Sequence, residues 1–296
     1  MSLRLEMLQV ARLAPSLLGE EVSALVEKFV RSQQHENGGF CDREGQSDLY
    51  YTSFAIDALT ALQVELPTAG LRSYLTTFGE GESLDFVHLC CLARTWSAIE
   101  KNGQAIDGIL IKLEEKYRTP EDGGYNQAPT ATTGSCYGAF LAYGAYSDHG
   151  RTPPAADRLI AESLSALLSP SGAWSNDRNL PVPNVPATAA AVSLYRNLRE
   201  PIPAATAGWL LTSTHEQGGF KAFPGAPMPD LLSTAVALHA LDGLQASYQE
   251  FVEPCLDFID TLWTAAGGFH GTWNDEDLDL EYTYYGLLAL GHLSMS

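Results

Sequence analysis

Residues 33–52 read QQHENGGFCDREGQSDLYYT, and the apolar segment SFAIDALTAL follows at 53–62. The same order of a polar run, Gly-Gly-aromatic, a loop and a helix-like stretch returns along the chain. Gly-Gly-aromatic stands at 38–40, 123–125, 218–220 and 267–269, with the variant Gly172-Ala173-Trp174. Glycine supplies the left-handed backbone that stops a helix, and a second glycine lets the loop cross closely over a neighbour. The motif reads as a hinge between two helices, and its repetition decides the fold class.

Aligning the segments after each hinge gives a column at their starts: Asp48, Asp85, Ala131, Asn184, Asp230 and Asp279. Successive spacings are 37, 46, 53, 46 and 49, a mean period near 46, which is the signature of a repeat array with six units. Asp and Asn are preferred at a helix N-cap, where the side chain accepts from an otherwise unpaired backbone N–H. Four positions further on stands a second column of Thr52, Leu89, Ser135, Thr188, Thr234 and Thr283. Ahead of each hinge lies an amphipathic pattern, such as EEVSALVEKFVRSQQ or VEPCLDFIDTLW, whereas the segment behind it is apolar nearly all round. One helix of each pair is expected to face water and its partner to be buried.

Such hairpins build either an open solenoid or a closed ring. An open solenoid needs polar terminal caps, yet the last unit ends in LEYTYYGLLALGHLSMS, so closure is favoured. The expected fold is all-α: an α/α toroid forming one domain over 1–296, with six repeats over 20–296. An extra N-terminal helix within 1–19 is expected to cover one edge.

With 36 acidic against 17 basic residues, a net charge of -19 repels phosphate backbones and anionic surfaces, which excludes nucleic acid as the main partner. The five cysteines show no metal-ligand spacing and suit a reducing compartment. Arg4, Glu6 and Arg12 interrupt the N-terminal apolar run, which therefore lacks a secretory core, and no apolar stretch is long enough to span a bilayer. A cytoplasmic location is expected.

The unit SQQHENGGFCDREGQSDLYYTSFAIDALTAL, with its echoes GGFKAFPGAPMPDLLSTAVALHAL and GGFHGTWNDEDLDLEYTYYGLLAL, resembles the repeat of the protein prenyltransferase β subunits. Those of geranylgeranyltransferase type II are nearest in size, and squalene and terpenoid cyclases are more distant relatives. The resemblance covers about residues 20 to 293 and implies a toroid with an apolar, aromatic-lined cavity that takes isoprenoid chains. It also implies where zinc would sit, on an Asp, a Cys and a His; here those positions are Asp230, Leu232 and Tyr282. The basic diphosphate loop is reduced to Lys221, with Phe223 and Ala226 near the other expected cations. The Asp-x-Asp-Asp acid of the cyclases does not occur, and the nearest string is DEDLDLE at 275–281. No metal and no cofactor is therefore expected.

Candidate cavity residues are Tyr51, His88, Tyr137, Asp230, Leu232, Tyr282 and Tyr285. Tyr282 shares a helix face with Tyr285 but not with Tyr284, and is preferred for the cavity. The tyrosines that cluster at inner-helix starts fit core packing and a π-rich wall equally well. The catalytic candidates are Asp279, Glu281 and His88. The run Asp275, Asp277, Asp279, Glu281 lacks the glycine and distal Glu of a calcium loop and reads first as a solvated cap. The expected function is binding of an isoprenoid or other lipid chain without zinc-dependent protein prenylation. The alternatives are an active prenyltransferase or terpenoid cyclase with a non-standard acid, and an acidic scaffold for a protein partner.

Overall fold

The computed structural model describes residues 2–100 and 105–295, so the two ends of the expected 1–296 span lie outside the described residues. Helices α1 (Leu3–Ala11) and α2 (Pro15–Ser32) lead into a small antiparallel hairpin of β1 (Phe40–Cys41) and β2 (Ser47–Asp48). Then come α3 (Leu49–Ala61), α4 (Thr68–Thr76), α5 (Phe86–Ile99), α6 (Ala105–Tyr117) and α7 (Cys136–Asp148). After the single turn α8 (Ala156–Arg158) the chain continues through α9 (Val185–Leu198), α10 (Ala205–Leu211), α11 (Leu231–Gly243), α12 (Val252–Leu262) and α13 (Leu280–Leu293).

Every odd-numbered helix from α3 to α13 begins at a capping side chain: Asp48, Asp85, Ser135, Asn184, Asp230 and Asp279 each accept from a backbone N–H two or three residues on. The third start is therefore Ser135, four residues beyond the expected Ala131. Its Oγ accepts from the Gly138 N–H at 3.0 Å. Serine caps as well as Asp or Asn does, so this start falls outside a column of carboxyls and amides.

These six helices form the inner ring. Each packs on the next, α3 on α5, α7, α9, α11 and α13 in turn, and α13 packs back on α3. Closure is sealed by the last hinge. Gly267 has φ 98°, and a Cβ there would lie 2.1 Å from the Leu25 carbonyl oxygen of α2. The outer members bury only a stripe; α12 presents Val252, Cys255, Phe258, Ile259 and Leu262 inward. The fourth outer segment is not the continuous helix its pattern suggests: α8 passes into a π-helical turn at Leu159–Leu164 and a 3-10 turn at Ser165–Leu167.

The N-terminal helix also differs from expectation. It ends at Ala11, and residues 15–18 already belong to α2, across a kink at Gly19 (φ 74°). Instead of covering an edge, α1 lies across the C-terminal ends of the inner helices, touching α3, α7, α9 and α13. Leu3, Met7, Leu8 and Ala11 are buried there. Arg4 Nε donates to Asp57 Oδ1 at 2.6 Å, and Arg94 pairs with the other oxygen of the same carboxylate. The ring is thus stopped at one end and open at the end where the caps lie.

Candidate functional site: mouth and channel of the toroid

At the open end the caps are cross-linked. Asp48 Oδ1 accepts from the Tyr50 and Tyr51 N–H groups, while its Oδ2 lies 2.9 Å from His88 Nε2. The other His88 nitrogen lies 2.9 Å from Asp85. The hydrogen bond to Asp48 and then that to Asp85 push the imidazole up to about 9, against the opposing effect of burial. At neutral pH His88 is a charged clamp between the starts of α3 and α5, and has no lone pair to act as a base.

The acidic run is answered by Arg43, which sits on the turn between β1 and β2. Arg43 Nε donates to Asp279 Oδ2 at 2.8 Å and its Nη2 to Asp275 Oδ2 at 2.9 Å, with Asp277 at 3.6 Å. The guanidinium also lies over the Tyr282 ring, 5.7 Å from its centroid. Asp279 caps α13 as well, accepting from the Tyr282 N–H at 2.8 Å. Glu281 points instead toward α3, where Oε1 accepts from the Tyr50 hydroxyl at 2.7 Å. Burial pushes Glu281 up to about 7, the Tyr50 bond offsets part of that, and the Asp279 charge adds to it.

Behind the mouth the two halves of the ring differ. On the α3 and α13 side, Tyr50, Phe54, Tyr284 and Tyr285 pack together with centroids 5.0 to 5.9 Å apart, Tyr50 edge-on to Phe54 and the other pairs tilted. On the α9 side the sequence VPATAAAVSL offers small side chains, and space remains. A cavity of about 110 Å³ is walled by Tyr137, Phe140, Ala189, Leu232, Val236 and Tyr285, with Met7 of α1 as its floor. A wider space of about 230 Å³ shares Tyr137, Pro186 and Ala190 with it and reaches Asn176 and Asn184. Together they form a channel leading inward from the open end.

Of the residues named from sequence, Tyr137, Leu232 and Tyr285 lie on the channel wall. Tyr51, His88, Asp230, Asp279, Glu281 and Tyr282 are at the inner-helix starts around the mouth. Tyr282 is held away from the wall because its ring lies beneath Arg43 and against Gly271, where a Cβ would meet it at 2.4 Å. Sequence reading missed Arg43 and Phe140, whereas Tyr50 belongs to the tyrosine cluster expected at the inner-helix starts; the run of alanines in α9 was the available sign of the channel itself.

The three positions at which the resemblance places zinc do not fit that ion. Asp230 Oδ1 is used in capping α11, accepting from the Ser233 N–H at 2.6 Å, and burial raises its carboxyl. Leu232 has no donor atom, and burial raises the Tyr282 phenol, away from a coordinating phenolate. Lys221, in the loop matching the diphosphate site, turns its Nζ to the Pro224 carbonyl at 2.9 Å.

A profile of the prenyltransferase alpha-alpha toroid domain matches residues 17–137 and 158–295, and the chain belongs to that family. No curated protein matches it significantly. Among solved structures, protein geranylgeranyltransferase-I of Candida albicans complexed with GGPP is similar over 92% of this chain and 90% of its own, with 14% identity and TM-score 0.64. A variant of a type II terpene cyclase from Scytonema, bound to geranylgeranyl dihydroxybenzoate, is similar over 98% and 97%, with 12% identity and TM-score 0.55. A protein from Actinoplanes is similar over 93% and 99%, with 13% identity and TM-score 0.59. At these identities the likeness is one of fold. Among the described residues no helix is long and apolar enough to cross a membrane.

Proposed function

We propose that residues 1–296 act as one toroidal domain of six repeats that binds an isoprenoid or comparable apolar chain in the channel between α7, α9, α11 and α13, without zinc-dependent protein prenylation. The observation that carries this reading is the channel itself, apolar along Phe140, Ala189, Leu232 and Val236 and bordered by Tyr137 and Tyr285. It is supported by two structures of the same fold whose bound molecules carry geranylgeranyl groups. Each methylene moved from water to such a wall contributes roughly 0.8 kcal/mol, so one five-carbon unit gains about 4 kcal/mol before the cost of association. The five cysteines are free and four are buried, which supports action in a reducing compartment such as the cytoplasm.

The test is solvent extraction of the purified full chain followed by mass spectrometry, repeated on Ala190→Trp, which fills the channel. A prenyl or lipid chain is expected from the wild type and its loss from the variant. A wild type that yields no apolar molecule and takes up no added prenyl chain overturns the reading.

A second reading, acid–base chemistry, is favoured by Glu281, which burial brings to about 7 beside Tyr50. A carboxyl half-protonated at neutral pH both gives and accepts protons. Incubation with polyunsaturated prenyl substrates should then give a cyclised or isomerised product that is absent from Glu281→Gln; silence across a panel of substrates removes this reading.

A further inference from the structure

The open end of the toroid has a charge balance unsuited to a diphosphate. The loops that end in the six caps (33–48, 77–85, 118–135, 168–184, 212–230 and 263–279) hold sixteen Asp and Glu against Arg43, Arg118, Arg178 and Lys221. Those cations are engaged. Arg43 binds Asp275 and Asp279, Arg118 lies 3.0 Å from Glu114, Arg178 lies 3.5 Å from Asp122, and Lys221 bonds the Pro224 carbonyl. The His88 imidazolium is held between Asp48 and Asp85.

The polar groups on the channel surface are uncharged. They are the Tyr137 and Tyr285 phenols, the Ser193 hydroxyl, His239 and, at the wider end, the Asn176 and Asn184 amides. Burial holds both phenols protonated, and the nearby Glu281 charge acts in the same direction. His239 is deeply buried, lies 3.1 Å from His292 across their ring nitrogens, and is held neutral down to about 4. A phenol both donates and accepts, so the two tyrosines suit an oxygen that is itself neutral. An ion carried past them into an apolar channel would lose its hydration with no opposite charge in return.

We propose that the channel selects an uncharged isoprenoid bearing a hydroxyl or carbonyl oxygen, and rejects the prenyl diphosphate that a toroid with a basic loop would take. This rests on the reading that the channel holds an isoprenoid chain. Selection comes from two sources: acidic loops that repel the dianion at the mouth, and neutral hydrogen-bonding groups that meet the oxygen inside. Repulsion at the mouth is screened by salt, whereas hydrogen bonding inside is not.

The experiment is calorimetric titration of the full chain with farnesol, farnesyl diphosphate, farnesylamine and the hydrocarbon farnesene. Farnesol should bind about tenfold or more tightly than the diphosphate at low salt, with the gap narrowing as ionic strength rises. The double variant Tyr137→Phe with Tyr285→Phe should bring farnesol down to the affinity of farnesene, leaving farnesene unchanged. Tighter binding of the diphosphate or the amine than of the alcohol overturns the proposal while leaving chain binding intact, as does a double variant that binds farnesol normally. If none of the four binds, the reading of the channel as a prenyl site fails first.

Discussion

At Glu281 burial competes with one hydrogen bond. Burial raises the carboxyl from 4.5 to about 7 although Tyr50 donates to it. Between those values the folded chain holds a proton that the unfolded chain has lost. The resulting stabilisation is complete below pH 4.5 and disappears as pH rises through 7. A shift of that size is worth about 3 kcal/mol. Glu281→Gln keeps an acceptor for Tyr50 and cannot ionise, so in urea denaturation it should gain up to about 3 kcal/mol on the wild type between pH 5 and 8. A difference that stays flat with pH would mean that another group titrates there. His88 has the same sign for a different reason: its raised value of about 9 comes from Asp48 and Asp85, so its contribution is present below pH 6.5 and lost as pH rises through 9. His88→Gln should therefore melt lower than the wild type at pH 6 and with it at pH 10; an equal deficit at both would make the clamp a packing contact only. Both residues were legible because they stand beside the capping column. Arg43 was not, since its partners Asp275 and Asp279 lie 232 and 236 residues away and no local pattern reports such a contact.

The hinge and the helix that follows it are joined by a bond whose purpose the sequence does not announce. The second column places a threonine four residues after the cap. Thr52, Thr188, Thr234 and Thr283 each turn Oγ1 back to accept from the N–H of the hinge aromatic, Phe40, Trp174, Phe220 and Phe269. In three of them the same hydroxyl also donates to the cap carbonyl of Asp48, Asp230 or Asp279. The donors are buried, so replacing the acceptor with a methyl leaves an N–H unpaired, at a cost of about 1–3 kcal/mol. Thr234→Val should lose about 2 kcal/mol in chemical denaturation while Thr234→Ser loses less than half as much; equal losses would assign the effect to packing. The period, the caps and the contrast between inner and outer helices were all readable because each repeats a local rule. The third unit slipped by four residues because Ser135 fits either column, as a cap or as a hydroxyl acceptor, and only its backbone decides: φ -127° and ψ 156° are those of a cap. The α9 channel was hidden for a related reason. Its alanines satisfy a helix whether or not their neighbours fill the space beside them.

For the molecule as a whole, closure and occlusion are separate. The ring closes through α13 on α3 and through Gly267 against Leu25, and neither contact involves α1. The stop at the C-terminal end depends on α1: Leu3, Met7, Leu8 and Ala11 are buried on the inner helices, and Val10 approaches so closely that a Cβ on Gly291 would stand 2.2 Å from its carbonyl oxygen. Two ion pairs anchor the helix, Arg4 with Asp57 and Glu6 with Arg196. Asp57 is fully buried and keeps Arg94 when Arg4 is removed, so losing α1 does not strand the carboxylate without a partner. A chain starting at residue 13 should therefore still fold as a ring, with a lower melting temperature because the burial of three large apolar side chains is gone, each worth about 1.5–3 kcal/mol at most. Since Met7 is the floor of the channel, the truncated ring should also bind an apolar fluorescent dye too long for the channel of the full chain, and should accept a longer prenyl chain. Helical circular dichroism equal to the full chain together with new dye binding would establish α1 as a stopper. Loss of helicity would make it part of the folding core, and unchanged dye binding would show that the inner helices close that end without it.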